Sequence, residues 1–519
     1  MQKYTRRILI RHKRIIQALA IAILVSGISF QADVTPTLPK IYAATFPSLT
    51  TALSSDDATR YRALFQAQSV ANWDKADESL MELSDQRLLG TALAARYLDD
   101  RYSVTPDELV AWLQNYKDQP EAARIRALAE RKGVSGQRLT EVAGITSIEG
   151  IGRVDTMGNA DMPAHWYRGL TLWKSNDTAA ALAQFKKAGE TERLTAWQRS
   201  AIAFWQYRAH TALKQDAEAQ AALSKAAKSP RTFYGMLANQ VGGKPLALAA
   251  QAPYVPDSLR TNAAVKRARA LSEIAEYTLA EKELRHIYKQ MPKADRGALI
   301  TIASELNLPN LQVRLGQVDG ISEGEAIFAS YPMPQWLSEQ ELSVDSALMF
   351  AISRQESSFA TEVKSHAGAT GLMQLMPATA NYIWKKSSDT LIASIDETSL
   401  PESTTRIAQS DLHDPKTNML LGQEYVRYLM GKAKGDANLV HVLASYNAGP
   451  GMVAVWNRSA SRMNDPLLYL ESIPYKETRH YVMQVMSNYW AYQSLMGKDT
   501  TSLSQLATGQ WPTIPTPKQ

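Results

Sequence analysis

Between about residue 50 and residue 320 the chain is rich in Ala and Leu, with apolar runs interrupted by short polar breaks and no convincing strand pattern. Several of these runs read as paired helices. Residues 166–173, beginning Trp166-Tyr167-Arg168-Gly169, are followed after Ser175, Asn176 and Asp177 by the apolar run 179–185. Residues 201–213 are followed after Gln215 and Asp216 by 217–227, and Tyr277 to Leu284 begins the second helix of a further pair. The pairs recur every 35 residues or so. One pair cannot bury its apolar stripe alone, so the pairs must stack on one another. Their Trp and Tyr residues then read as core, with a concave surface for a ligand or a partner protein as the sharper alternative.

The pattern changes at Gly316 to Gly324 and Tyr331 to Pro334. The organisation expected is a helical superhelix domain over 45–255, close to tetratricopeptide arrays, a helical linker domain over 256–336, a catalytic domain over 337–498 and a flexible tail over 499–519, whose Thr, Ser, Pro and Gln content argues for poor order. Loops are expected at Ser387–Asp389, Ser394–Ser403 and Gly431–Asp436. Val344, Leu348 and Ile352 share one helical face, and the same helix carries Glu356 at its C-terminal end, near the turn Ala367 to Gly371. A carboxyl held there, part-buried and aimed into a groove, is what a general acid needs.

The first fourteen residues hold six Lys or Arg and no acid, and an apolar run follows from Ile15 to Ile28. This run is short for a membrane span and reads as a secretion signal over 1–32, with Ala32 and Ala43 both candidate cut points. Thr5-Arg6-Arg7 touches the twin-arginine export pattern beside ordinary export, and an uncleaved N-terminal anchor stays open. Removing the first 32 residues leaves 51 basic against 51 acidic side chains, so the sequence pI of about 9.1 is no argument for nucleic acid. The chain has no cysteine, which excludes thiolate metal sites, cysteine nucleophiles and a lipid-modified N-terminal cysteine. Its eight histidines show no His-x-x-x-His spacing, and no metal or other cofactor is expected.

Four motifs stand in order over about 130 residues: Glu356-Ser357, Gly371 to Pro377, Ser445-Tyr446-Asn447-Ala448-Gly449, and Glu477-Thr478-Arg479-His480-Tyr481-Val482. In this order they resemble the lytic transglycosylases that cut bacterial peptidoglycan, and Ser445 replaces a frequent Ala. Pro230 to Leu237, with Tyr331-Pro332, is similar to the large soluble members of that family. The resemblance implies an all-α chain: an N-terminal superhelix closed into a ring and a C-terminal domain of goose-type lysozyme fold. It implies a periplasmic monomer acting on peptidoglycan glycan strands, with cell-wall synthesis or hydrolase proteins as possible partners.

Glycosidic cleavage commonly uses two carboxylates, yet only Glu356 lies in the leading motif. Glu362 reads as a solvated surface acid. Asp345 is about three helical turns away, roughly 16 Å. The resemblance implies that one acid suffices. Glu356 protonates the leaving oxygen, then accepts the proton of the muramoyl C6 hydroxyl as that oxygen attacks C1 and closes a 1,6-anhydro ring. Met373, Leu375, Met376 and Phe359 are the neighbours expected to raise the Glu356 pKa by desolvation. Substrate contacts are expected from Ser365, Gln374, Met376, Tyr446, Asn447, Glu471 and Tyr481, with Glu471 as the second acid of the groove. Glu477 and Arg479 are expected to form an ion pair. A water-adding muramidase and a non-cutting helical scaffold are the competing readings.

Overall fold

The structure, a computed structural model, describes residues 51–515 apart from 137–138, 140, 143–160, 289, 317–319, 338–340, 395–405, 433–436 and 460–463. The secretion-signal segment and most of the Ser394–Ser403 and Gly431–Asp436 loops lie outside the described residues. Those residues form an all-α fold whose only β pairings are isolated bridges. Among them, no helix is long and apolar enough to cross a membrane.

Two antiparallel helices need a turn that reverses the chain without leaving the last carbonyls unpaired. Among the described residues the chain makes this turn five times on a residue other than glycine. Ala71, Asn176, Lys214, Ala275 and Asn307 sit at φ +55°, +62°, +58°, +66° and +56°. The next residue donates its N–H five positions back, as Asp177 does to the Leu172 carbonyl at 3.0 Å and Gln215 to His210 at 2.9 Å. This is the Schellman closure, usually built on glycine. A non-glycine residue there is strained by about 1–2 kcal/mol, offset by the satisfied helix end.

The turns join helices Ala164–Lys174 and Thr178–Gly189, Ala196–Ala212 and Asp216–Ala227, and Ala263–Glu273 and Tyr277–Tyr288. These are the pairs that the apolar runs predict. Gly169 lets its pair close: a Cβ there would stand 2.4 Å from the Phe185 ring. Phe185 packs at 5.7 Å from both Trp166 and Trp205, and all three rings are buried. These three rings are core, whereas Tyr167 on the first of these helices is 40% exposed.

The array does not end where the catalytic sequence begins. One hydrophobic core runs from Trp166 to Ile514. Helix Phe233–Val241 packs against helices Lys476–Leu495 and Thr501–Ala507. Phe233 stacks on Trp490 at 5.3 Å. A separate cluster over 94–139 serves the first helices. That region is tied forward by a buried ion pair, Arg267 with Glu283 at 2.8 Å, to which Asp118 adds a contact at 2.9 Å. The Ala52 and Leu53 N–H groups also donate to the Glu273 carboxylate, at 2.6 and 3.0 Å.

Two expectations need correction. Residues 387–389, expected as a loop, continue the helix Pro377–Ser394. The segment expected to be a flexible tail is folded as far as residue 515. Leu503 and Leu506 are buried in helix Thr501–Ala507, Trp490 Nε1 donates to Ser502 Oγ at 2.9 Å, and Leu439 N–H donates to the Pro512 carbonyl at 2.8 Å. Two leucines three apart supply an anchoring stripe that the Thr and Ser content conceals.

Candidate active site

Glu356 is delivered by helix Ser346–Ser357, whose residues 346–354 are all buried. A helix so enclosed cannot slide, and both its ends are fixed. At the start, Asp345 caps the Ala347 N–H at 3.1 Å and is held by Tyr489 and Lys498 at 2.8 and 2.9 Å. At the far end, Arg354 donates to the Ser330 carbonyl at 2.6 Å and to Asn488 Oδ1 at 2.8 Å, with its guanidinium 4.9 Å from the Tyr331 ring centroid. Ser358 closes the helix in the left-handed region, φ +51°, and its carbonyl accepts from Asn310 at 2.9 Å. Ser357 Oγ donates to the Leu372 carbonyl at 2.7 Å, which ties the helix to the second motif.

That motif folds into a tight loop around Asn418. The fully buried Asn418 amide donates to the Thr370 and Leu412 carbonyls at 3.1 and 2.8 Å and accepts from the Met373 N–H at 2.8 Å. Gly371 has to be glycine twice over: φ is +77°, and a Cβ would stand 2.0 Å from the Leu412 carbonyl oxygen. Met373 and Leu375 point into the core, whereas Met376 is 41% exposed.

Two tyrosines close the site. Tyr481, on helix Lys476–Leu495, donates its hydroxyl to Glu356 Oε1 at 2.7 Å. Tyr446, on helix Leu439–Ala448, donates to the Met373 carbonyl at 2.8 Å. Their rings stack at 6.5 Å and 7°. Burial pushes the Glu356 carboxyl up to about 7; the Tyr481 hydrogen bond opposes this and the negative charge of Glu477 adds to it. The side chain nonetheless keeps part of its surface open. A carboxyl so placed is partly protonated near neutral pH and can reach a ligand, which fits it to give and take a proton.

The other candidates divide. Ser365 Oγ accepts from the Ala369 N–H at 3.0 Å and shapes its own turn. Gln374, at φ +48°, donates its amide to the Gly371 and Val363 carbonyls at 2.8 and 3.3 Å, so it braces the loop. Asn447 Oδ1 accepts from Thr478 Oγ1 at 2.6 Å, joining the third and fourth motifs. Glu362, as expected, is exposed and accepts from Thr278 at 2.7 Å.

Glu471 is not placed with Glu356. It is 8% exposed and accepts the Tyr234 hydroxyl at 2.6 Å, and that hydroxyl accepts from Trp205 Nε1 at 3.0 Å. Arg479 Nε lies 3.9 Å from its carboxylate. Glu471 lines a cavity of about 30 Å³ with Trp166, Gln198 and Met483. Arg479 and Met483 lie on the face of their helix away from Tyr481, so the expected groove acid belongs to a seam with the helical array.

The acid whose charge acts on Glu356 is Glu477, itself exposed. Arg479 turns instead to Glu471 and to the Ile473 carbonyl, at 3.0 Å, so the expected Glu477–Arg479 pair is absent. The reason is helical geometry: residues two apart point to different sides, residues four apart to the same side. Glu477 and Tyr481 are four apart. That spacing was the available signal for Glu477.

Residues 337–468 match the family described as Transglycosylase SLT domain, and residues 472–500 match the Soluble lytic transglycosylase helical domain. The chain is a homologue of the soluble lytic murein transglycosylases. It is 28% identical to the soluble lytic murein transglycosylase of Escherichia coli K12 over 423 residues, 77% of this chain and 62% of that protein. Against the protein of the same name from Salmonella typhimurium it is 28% identical over 368 residues, 67% of this chain and 54% of the relative. The chain thus spans less than two thirds of the length of these relatives. The 70-kDa soluble lytic transglycosylase of E. coli shares the fold, with a TM-score of 0.53 and 23% identity over 90% of this chain and 66% of that one. A complex of the 70-kDa enzyme with bulgecin A gives 0.54, 23%, 90% and 66%.

Proposed function

We propose that this homologue of the soluble lytic murein transglycosylases cleaves the MurNAc-β-1,4-GlcNAc bond of peptidoglycan, with Glu356 as acid and then base. The observation that carries the reading is the Glu356 carboxyl: pushed to about 7, held by Tyr481 and partly open to a ligand. Protonated Glu356 gives its proton to the departing GlcNAc oxygen. The resulting carboxylate takes the proton of the muramoyl C6 hydroxyl while that oxygen bonds to C1, and the carboxyl is restored. The nucleophile is tethered to the reacting carbon, an entropic advantage, and the N-acetyl carbonyl stabilises the positive centre. Tyr481 and Tyr446 orient the carboxyl and its loop. Met376 supplies an open apolar contact, and Ser365, Gln374 and Asn447 shape the site with substrate contacts from their remaining surface. The route uses no metal or cofactor.

We place the catalytic domain from about residue 337 and the helical domains before it, in an exported, periplasmic monomer that turns over or remodels the cell wall. A hydrolytic outcome is favoured by one observation: the negative charge of a second carboxylate, Glu477, acts on Glu356. Mass spectrometry of muropeptides released from sacculi decides between the two. Anhydromuramoyl products, lost in Glu356→Gln, are expected. Products heavier by one water would replace the intramolecular route by hydrolysis, and no release by either protein would overturn the enzyme reading.

A further inference from the structure

The aromatic stack beside Glu356 continues away from it. Tyr425 lies 5.2 Å from Tyr446, Tyr428 stacks on Tyr425 at 6.3 Å and 15°, and Tyr382 meets Tyr428 edge-on at 5.6 Å. The series therefore runs from the buried Tyr481 to Tyr382, which is 52% exposed. Two ammonium groups stand at its outer end. Lys386 Nζ is 4.8 Å and Lys432 Nζ 5.5 Å from the Tyr428 ring centroid. Both lysines are exposed, and the acid on the same helix face, Glu424, is paired with Arg427 at 2.8 Å.

Helix Pro377–Ser394 repeats the direction. Met376 precedes it, and Thr379, Tyr382 and Lys386 follow at spacings of three and four, which sets them on one face. Met376, Tyr382 and Lys386 are exposed along that face. The ring edges and stems offer apolar area, while the ammonium heads remain in water to pair with anions. An uncharged sugar would need the rings alone. Two lysines around one ring call for a ligand with carboxylates beside a saccharide face.

We propose that Tyr382, Tyr428, Lys386 and Lys432 form a distal subsite that reads the carboxylates carried by a muramoyl residue of the bound strand. This rests on the peptidoglycan reading of the Glu356 site. The carboxylate has two chemical sources, the lactyl group of a peptide-free muramoyl unit and the acidic groups of a stem peptide.

The test measures binding by the full chain carrying Glu356→Gln, so that nothing is consumed. It uses three probes: glycan strands with stem peptides, strands stripped by an amidase, and a neutral N-acetylglucosamine hexamer. Adding Lys386→Gln and Lys432→Gln is expected to weaken binding of the intact strands by about five- to tenfold at low ionic strength, with a smaller factor in high salt and no change for the hexamer. Tyr382→Ala is expected to weaken all three. Loss confined to the stripped strands would assign the lactyl carboxylate, which an amide bond masks wherever a stem peptide is attached; loss confined to intact strands would assign the stem peptide. For the lysine variants, unchanged affinity for every probe, or equal loss on the hexamer, overturns the subsite. Should the Glu356→Gln protein bind none of the probes, the peptidoglycan reading itself fails, and the subsite fails with it.

Discussion

Glu356 and Glu471 have nearly the same immediate chemistry. Each accepts a tyrosine hydroxyl, at 2.7 and 2.6 Å, and in each burial pushes the carboxyl up to about 7. Their surroundings differ. Glu356 is part-buried and feels the charge of a second acid, Glu477. Glu471 is enclosed, faces Arg479, and takes its hydroxyl from a helix more than two hundred residues earlier in the chain. A raised carboxyl pKa therefore does not identify an active site. What differs is that Glu356 is part-buried with a hydroxyl on its carboxylate, whereas Glu471 is buried between a hydroxyl and a guanidinium.

The largest effect that would sharpen this contrast is on turnover. Glu356→Gln is expected to lower kcat by about 10²–10⁴-fold, the range for loss of a general acid, with no loss of thermal stability; muropeptide release and calorimetry measure the two. Glu471→Ala should do the reverse. It leaves the Tyr234 hydroxyl and Arg479 without their buried partner, at a cost of about 2–3 kcal/mol, read as a lower denaturation midpoint with kcat within a few fold. A large kcat loss in folded Glu471→Ala would erase the distinction.

Stability against pH gives a subtler test. A carboxyl whose folded pKa is above its unfolded value stabilises the folded state below about 4.5, and that stabilisation is lost as pH rises through about 7. Wild type should thus lose stability between those values, and Glu471→Gln should lose less. Equal slopes would mean that Glu471 does not titrate differently on folding. The smallest expected effects are shifts of the alkaline limb of the kcat profile. Tyr481→Phe removes a bond that favours the ionised form and should move the limb up. Glu477→Gln removes a repelling charge and should move it down. Shifts in the same direction would contradict the electrostatic account.

What the sequence showed was the chemistry that is local. Glu356, the Gly371 turn and Tyr446 sit in short motifs whose spacing survives folding. The helix pairs were legible because each apolar run ends at a polar turn. Glu471 was misplaced because no one-dimensional pattern joins it to Tyr234, and its position near the last motif suggested the groove. Glu477 was assigned to Arg479 by charge alone, although helical periodicity favoured the side of Tyr481. The end of the chain was judged by composition, and Leu503 and Leu506 outweigh its hydroxyl residues.

The shared core has an evolutionary consequence. Phe233 and Trp490 stack across what looks like a domain boundary, and Trp205, Tyr234 and Glu471 form a hydrogen-bonded chain over the same seam. A fragment beginning at residue 337 would expose those rings and strand a buried carboxyl. The part of this chain that carries Glu356 is therefore poorly suited to being recombined as an independent module. Changes in its last helices and in the helical array must be inherited together.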